Sequence, residues 1–159
     1  YSNKVGGFCI VSSDSDFTRL ATRLREAGMN VIGIGEKKTP NPFIVACDKF
    51  IYIEILKNQS EESSSGTSDS KRDKKDNVDK ITQKEIKLIA STISDLADED
   101  GWAFLGDVGS LLQKKQPNFD SRNYGFQKLT PLIKSIKNFE IDQRENVKGR
   151  FKLIYVRNR

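Results

Sequence analysis

The sequence contains no histidine, and this absence limits the chemistry open to the chain. Without an imidazole, histidine-based acid–base catalysis and histidine metal sites are excluded. Only two cysteines are present, Cys9 and Cys47, and both lie in apolar stretches. We therefore expect reduced, buried thiols and no disulfide framework.

Long apolar segments are also absent. No run approaches the roughly 20 residues of a membrane-spanning helix, and no signal peptide opens the chain. We therefore expect a cytoplasmic protein without a membrane partner. The sequence lacks an initiating methionine and opens close to a predicted strand, so we expect part of the natural protein to lie upstream of Tyr1.

The charge is basic and unevenly distributed. The chain has 27 Lys and Arg against 22 Asp and Glu, a net charge of +5. Residues 101–159 hold 12 basic and 5 acidic side chains, a net charge of +7. Such an excess suggests a polyanionic partner, with nucleic acid ahead of a membrane surface. An ordinary solubilising surface explains the same charge equally well.

One internal segment separates two parts of different character. Residues 57–77 contain no apolar side chain and are rich in Ser and charge. Such a composition cannot bury a core, and it predicts a disordered linker over residues 57–78. The predicted domains are therefore residues 1–56 and 79–159.

The first part alternates between strand and helix patterns. The segments GFCIVSS, NVIGIG and IYIEIL predict three strands. Helical spacing predicts one helix that ends at Gly28, and the Asn41–Pro42 pair predicts the N-cap and first residue of a second helix that runs to about Phe50. This alternation predicts a parallel, Rossmann-like α/β sheet. Three strands cannot readily cover both sheet faces, so we expect only part of an α/β domain.

The second part follows another order. Three apolar stripes at helical spacing predict three helices, the last from Phe126 to Ile136. The segments NFEIDQR and RFKLIYVR, joined by ENVKG, then predict a β-hairpin. Helices followed by a hairpin favour an α+β winged-helix domain with a basic wing.

Asp14 and Asp16 follow the first predicted strand. In open parallel sheets, ligands bind beyond the carboxyl ends of strands, and Mg²⁺ is held there by carboxylates, waters and substrate phosphate. Such a metal supports phosphodiester hydrolysis. Helix capping explains the same residues, because short polar side chains satisfy the open N–H groups of a helix start. The residues alone favour capping, and one aspartate can fill both roles.

The stretch from Phe8 to Ile55 closely resembles the second half of a NYN domain, a branch of the PIN-like nuclease fold. The elements SSDSDF, GMNVIGIG and ACDKFIYIE carry this match. The resemblance implies a ribonuclease site that uses Mg²⁺ or Mn²⁺, with Asp14 and Asp16 as catalytic and metal-binding residues. Asp48 is a weaker candidate, for which capping or a surface salt bridge is preferred.

The family's first strand, with its leading aspartate, should lie upstream of Tyr1. We therefore expect this chain to be catalytically inactive by itself and to hold the metal only weakly, even if its parent protein is a metal-dependent ribonuclease.

The run PNFDSRNYGFQKL resembles the LOTUS (OST-HTH) domain, a winged-helix module, with similarity over roughly residues 81–157. The family implies RNA binding, with G-rich or structured RNA preferred by some members, and protein partners for others. Phosphate contacts need cations within reach of the RNA backbone, and unpaired bases stack on aromatic rings. The predicted RNA-binding residues are Lys114, Lys115, Arg122, Tyr124, Lys128, Lys148 and Arg150. Packing is the expected role of Phe126 and Trp102.

Two hypotheses of different class follow. The first is an RNA-directed protein in which a LOTUS RNA-binding module is tethered to a truncated NYN ribonuclease domain, so that the linker raises the local substrate concentration. The second is a non-catalytic adaptor that recruits RNA or a protein and carries a degenerate NYN scaffold. A DNA-binding transcription factor is a weaker alternative, since it depends on winged-helix shape alone.

Overall fold

Two sheets of different type organise the chain, one parallel and one antiparallel. The computed structural model describes residues 5–56, 80–145 and 152–159. Contacts between Cα atoms divide the chain into a first unit, Tyr1–Asn77 with Gln116–Phe119, and a second unit, Val78–Lys115 with Asp120–Arg159. The predicted linker lies outside the described residues, and the boundaries drawn from composition stay a prediction.

The first unit contains the predicted parallel sheet. Strands β1 (Gly7–Val11), β2 (Asn30–Gly35) and β3 (Lys49–Tyr52) are adjacent in chain order. Both neighbouring pairs are parallel. The prediction of a partial parallel sheet is therefore confirmed. The third strand was predicted too late in the chain, because it ends at Tyr52 and residues 53–56 are helical.

Two helices connect these strands. Helix α1 (Thr18–Glu26) ends just before Gly28, as its apolar spacing predicts. Helix α2 (Asn41–Ala46) has Pro40 as its N-cap, so Asn41 is the first helical residue and not the predicted cap. The predicted extension of α2 to Phe50 is also wrong. The backbone turns extended at Cys47, and the chain pairs with β2 from Lys49 onward.

One face of the parallel sheet carries the core of the first unit. Side chains of α1 and α2 pack on alternate strand residues, and the buried cluster comprises Ala21, Val31, Phe43, Ile44, Ala46, Cys47 and Phe50. Burial raises the pKa of the Cys47 thiol to about 11, and this thiol donates a hydrogen bond to the Phe43 carbonyl. The expectation of a buried thiol holds for Cys47 but is wrong for Cys9, which is exposed.

The second unit combines helices with an antiparallel sheet. Its helices are α3 (Gln83–Leu96), α4 (Leu105–Lys115) and α5 (Leu129–Ser135), and a 3-10 turn spans Ser121–Tyr124. Its strands are β4 (Ala103–Phe104), β5 (Phe139–Glu145) and β6 (Lys152–Asn158). The strand order is β4-β6-β5, and both pairs are antiparallel. The predicted hairpin is therefore confirmed.

The predicted third helix is wrong over its first three residues. The chain forms the short 3-10 turn and reverses at Gly125 in the left-handed region, before α5 begins at Leu129. Pro131 explains this start. A proline lacks the N–H group, and its ring clashes with the carbonyl four residues earlier, so it is tolerated only in the first turn of a helix. The helix therefore cannot extend back to Phe126.

The second-unit core is fully enclosed. Ile89 and Ile93 of α3 pack with side chains from the other elements, and all of these are inaccessible: Val108, Leu112, Leu132, Ile133 and Val156. A Cβ at Gly109 would lie 3.3 Å from Leu129 Cδ2, so the missing side chain lets α4 and the start of α5 approach closely. Among the described residues, no helix is long and apolar enough to span a membrane.

Candidate carboxylate rim and nucleic-acid interface

Asp14 and Asp16 lie at the carboxyl end of β1, as the sequence predicts. Asp14 caps the 3-10 turn Ser15–Phe17, because its Oδ1 accepts a hydrogen bond of 3.0 Å from the Asp16 N–H group. The Asp14 N–H group in turn donates to Ser12 Oγ at 3.1 Å. The capping role is therefore confirmed for Asp14. Both aspartates are exposed to solvent.

Hydrogen bonds join the loops that follow the three strands. Ser13 Oγ accepts from the Glu36 N–H group at 2.9 Å, and Glu54 Oε1 accepts from the Lys37 N–H group at 3.1 Å. A Cβ at Gly35 would lie 2.5 Å from the Ser12 carbonyl oxygen, so only glycine permits this approach. The carboxylates of Asp14, Asp16, Glu36 and Glu54, which follow the strands, form what we call the carboxylate rim.

Sequence reasoning missed Glu36 and Glu54. The signal that identified Asp14 was a carboxylate shortly after an apolar strand, and Glu36 also follows an apolar strand, because β2 ends at Gly35. Glu54 was hidden because the third strand was placed over residues 51–56. With β3 ending at Tyr52, Glu54 also follows a strand.

The implied divalent metal does not fit the described residues. Within that part of the chain, no group of three or more Asp, Glu, His or Cys side chains is arranged to hold a metal ion. Asp14 Oδ1 is engaged in the turn. Glu36 forms an ion pair of 2.6 Å with Lys38. We therefore derive no reaction step through a metal for these residues.

Asp48 lies away from the rim, before β3. Its Oδ2 accepts a hydrogen bond of 2.8 Å from the Val31 N–H group, and its Oδ1 pairs with Arg25 Nε at 2.9 Å. The salt bridge preferred for Asp48 is confirmed, but its other carboxylate oxygen accepts from a strand residue and does not cap a helix. It holds the amino-terminal ends of two strands together.

The predicted RNA-binding cations of the second unit fall into two groups. Lys114, in the last turn of α4, and Lys128, the N-cap of α5, are exposed. Lys115 is instead ion-paired with Asp95 of α3 at 2.6 Å and also donates to Thr92 Oγ1 at 3.2 Å. The structure therefore leaves Lys114 and Lys128 better suited than Lys115 to meet a phosphate.

Arg122 is anchored within its own turn. Its guanidinium forms several hydrogen bonds with the Asp120 carboxylate, the shortest of 2.6 Å, and both side chains are largely buried. The hydrogen bond from Asp120 raises the pKa of Arg122 further above its usual range. Asp120 also accepts from the Arg122 N–H group at 2.9 Å and caps the turn. This pair shapes the loop that carries the LOTUS resemblance.

Of the remaining predicted site residues, one is described by the structure and two are not. Tyr124 closes the 3-10 turn and is partly exposed, as is Phe126. Lys148 and Arg150, predicted on the wing, lie outside the described residues. Trp102 precedes β4 and is covered by two arginine side chains, which sequence reasoning did not predict.

Three helices and an antiparallel sheet that ends in a β-hairpin give the second unit a winged-helix fold. Family models agree and are more specific. Residues 77–150 match the OST-HTH/LOTUS domain, and residues 1–54 match the NYN domain. The chain thus carries part of a NYN domain followed by a LOTUS domain.

Solved structures similar to this chain include two solution NMR structures from bacteria. An uncharacterized protein of Nitrosomonas europaea is 30% identical, with 60% of this chain and 91% of that chain covered and a TM-score of 0.45. A protein of Chromobacterium violaceum, residues 175–257, is 31% identical, with 49% of this chain and 83% of that chain covered and a TM-score of 0.41. A comparison with curated proteins found no match.

Proposed function

We propose that this chain binds RNA through its LOTUS domain. The observation that carries the proposal is the match of residues 77–150 to the OST-HTH/LOTUS family, a family associated with RNA binding. Two features of the second unit support it: the net charge of +7 over residues 101–159, and the exposed lysines at the end of α4 and the start of α5. Cations in reach of a phosphate backbone supply most sequence-independent RNA affinity.

Within this proposal, Lys114 and Lys128 contact phosphates, and Tyr124 stacks on a base. Arg122 acts by holding the loop in shape with Asp120. Lys115 ties α4 to α3 and contributes less to binding. Lys148 and Arg150 are proposed to add phosphate contacts from the wing. A preference for G-rich or structured RNA is a further expectation from the family.

Charge reversal of single lysines in the full chain tests this assignment. We expect Lys114→Glu and Lys128→Glu each to weaken RNA binding about tenfold at low salt, because a phosphate contact becomes a repulsion. Lys84→Glu, at the exposed start of α3, is the matched control and should change affinity much less. Fluorescence anisotropy with G-rich and mixed-sequence RNA measures all three. Equal effects at the three positions would contradict the assignment.

For the NYN portion, we propose that it contributes to RNA binding as a scaffold and that this chain alone does not cleave RNA. In a longer protein that supplies further acidic residues, Asp14 and Asp16 would form part of a metal-dependent ribonuclease site. The carboxylates of the described residues alone do not assemble one. We expect no RNA cleavage in Mg²⁺ or Mn²⁺, and cleavage that Asp14→Asn abolishes would overturn this part of the proposal.

A further inference from the structure

One face of the antiparallel sheet in the second unit carries a set of aromatic and arginine side chains. Successive residues of a strand point to opposite faces. Ala103, Val156 and Phe139 are buried in the core. The alternate residues therefore share the opposite side of the sheet, which we call the outer face: Trp102, Phe104, Glu140, Asp142, Arg144, Leu153, Tyr155 and Arg157.

On the outer face, guanidinium groups stack on aromatic rings. Arg144 Cζ lies 4.4 Å from the Tyr155 ring centroid and 5.4 Å from the Trp102 centroid. Arg157 Cζ lies 4.7 Å from the Trp102 centroid. The Phe104 and Tyr155 centroids are 5.9 Å apart. The rings and guanidinium groups thus extend across all three strands.

Two carboxylates hold the arginines in these positions. Arg144 Nε donates to Asp142 Oδ2 at 2.9 Å, and Arg157 Nε donates to Glu140 Oε2 at 2.8 Å. The backbone of Trp102 is fixed by its own loop. Its backbone N–H group donates to Asp98 Oδ1 at 2.7 Å, and its carbonyl accepts from the backbone N–H group of Asp98 at 2.9 Å. The outer face is therefore preorganised, and its charges are balanced locally.

This arrangement has the chemistry that recognises unpaired nucleobases. Single-stranded RNA is bound by stacking bases on aromatic rings and on guanidinium planes. Arg144 is exposed, and its Nε pairs with Asp142 Oδ2 at 2.9 Å. The surrounding region is strongly basic, so a polyanion is attracted to it.

We propose that the outer face is a stacking platform for unpaired bases of single-stranded RNA, separate from the lysines at the helix ends. This inference deepens the proposed RNA-binding function and rests on it. Because the arginines are already paired with carboxylates, the platform adds affinity through stacking more than through charge. Its contribution is therefore insensitive to salt, unlike that of Lys114 and Lys128.

Two variants of the full chain test the platform without changing its charge. Tyr155→Leu removes the ring beneath Arg144, and Arg144→Lys keeps the charge but removes the planar guanidinium. We expect each to weaken binding of single-stranded RNA about five- to fiftyfold, with an unchanged dependence on salt. Phe8→Leu, at an exposed phenylalanine of the first unit, is the matched control and should bind like the parent chain.

Trp102 provides a direct readout, because it is the sole tryptophan of the chain. We expect saturating single-stranded RNA to change its fluorescence, and the same sequence in a duplex to leave it unchanged. Suppose that the parent chain binds RNA, that both variants bind it as tightly as the parent chain does, and that the Trp102 emission stays constant. The stacking platform is then refuted, while the proposed RNA-binding function stands. A protein partner becomes the better candidate ligand of the outer face. If the parent chain binds no RNA, both proposals fall.

Discussion

The two units of the molecule cover their sheets differently. In the first unit, α1 and α2 pack on one face of the parallel sheet, while Cys9, Val11 and Ile32 on the other face are exposed. In the second unit, the antiparallel sheet buries Phe139 and Val156 and presents charged and aromatic side chains outward.

The strand sequences already differ in the same way. Strands β1 and β2 are apolar at almost every position, whereas FEIDQRE of β5 alternates. Parallel sheets are normally covered on both faces, and antiparallel sheets often leave one face in water. The open face of the first unit therefore has the composition of a buried surface, while the outer face of the second unit is suited to solvent.

The largest expected effect is in the enclosed core. Ile93→Ala should destabilise the second unit by about 2–5 kcal/mol, since it leaves a cavity among fully buried side chains. Chemical denaturation followed by Trp102 fluorescence measures it, because this tryptophan belongs to the second unit. Ser91→Ala, on the exposed side of the same helix, is the control. If Ile93→Ala lowers the free energy of unfolding as little as the control does, the core of the second unit is not tightly packed around Ile93.

In the first unit, we expect a methyl group added at Gly35 to destabilise the fold, because the loops after β1 and β2 meet there. Gly35→Ala places a Cβ 2.5 Å from the Ser12 carbonyl oxygen and 2.7 Å from Thr39 Oγ1. We expect a loss of about 1–3 kcal/mol, because the backbone must shift. Amide hydrogen exchange in β1 and β2 reports it. Gly6→Ala, with open space around the glycine, is the control and should be neutral. Similar amide exchange in both variants would show that the loops after β1 and β2 are not held closely together.

A smaller effect is expected at the start of α3. Thr82 and Glu85 form a capping box, and Thr82→Ala should cost about 1 kcal/mol. Burial alone would raise the pKa of Glu85, but hydrogen bonds from Thr82 outweigh it and lower the pKa. Because the folded-state pKa is lowered, this stabilisation is complete above the ordinary glutamate pKa and is lost as pH falls through the folded value. Stability curves of parent and variant should therefore converge in acid; a constant gap would contradict the box.

The smallest effect on stability is expected on the open face of the first-unit sheet, and it can be compared with the effect at a buried position of the second-unit sheet. Val11→Thr on the open face should change stability by less than about 0.5 kcal/mol and reduce binding of a hydrophobic dye, because Val11 is 68% exposed. Val156→Thr, at a fully buried position of β6, should cost clearly more. If Val11→Thr is equally costly, the face is covered in solution.

Much of the fold was predictable because period and turn chemistry are local. The strand NVIGIG corresponds residue for residue to β2, and the wing hairpin follows its alternating pattern. The predictions failed where a proline or a contact between strands overrode a periodic pattern. Pro131 delayed α5, and pairing with β2 moved the third strand to Lys49.

The candidate site was less predictable, since it depends on which side chains meet. Charge and spacing marked Lys115 and Arg122 as RNA-binding residues, but other side chains engage them: Asp95, which is 20 residues from Lys115 in the chain, and Asp120, which is two residues before Arg122. The arginine–aromatic stacking of the outer face joins residues from both ends of the second unit. No local pattern encodes the pairing of Trp102 with Arg144 and Arg157.

The most direct test of the account is the salt dependence of RNA binding by the full chain. If lysines of the LOTUS domain neutralise about three to five phosphates, log affinity should fall with log salt at a slope of about −2 to −3.5, at roughly 0.7 per contact with a single strand. A titration with G-rich and mixed-sequence single-stranded RNA at several salt concentrations measures the slope. We expect a slope in this range. No detectable binding at low salt, or binding that salt leaves unchanged, would contradict it and favour an adaptor that recruits a protein.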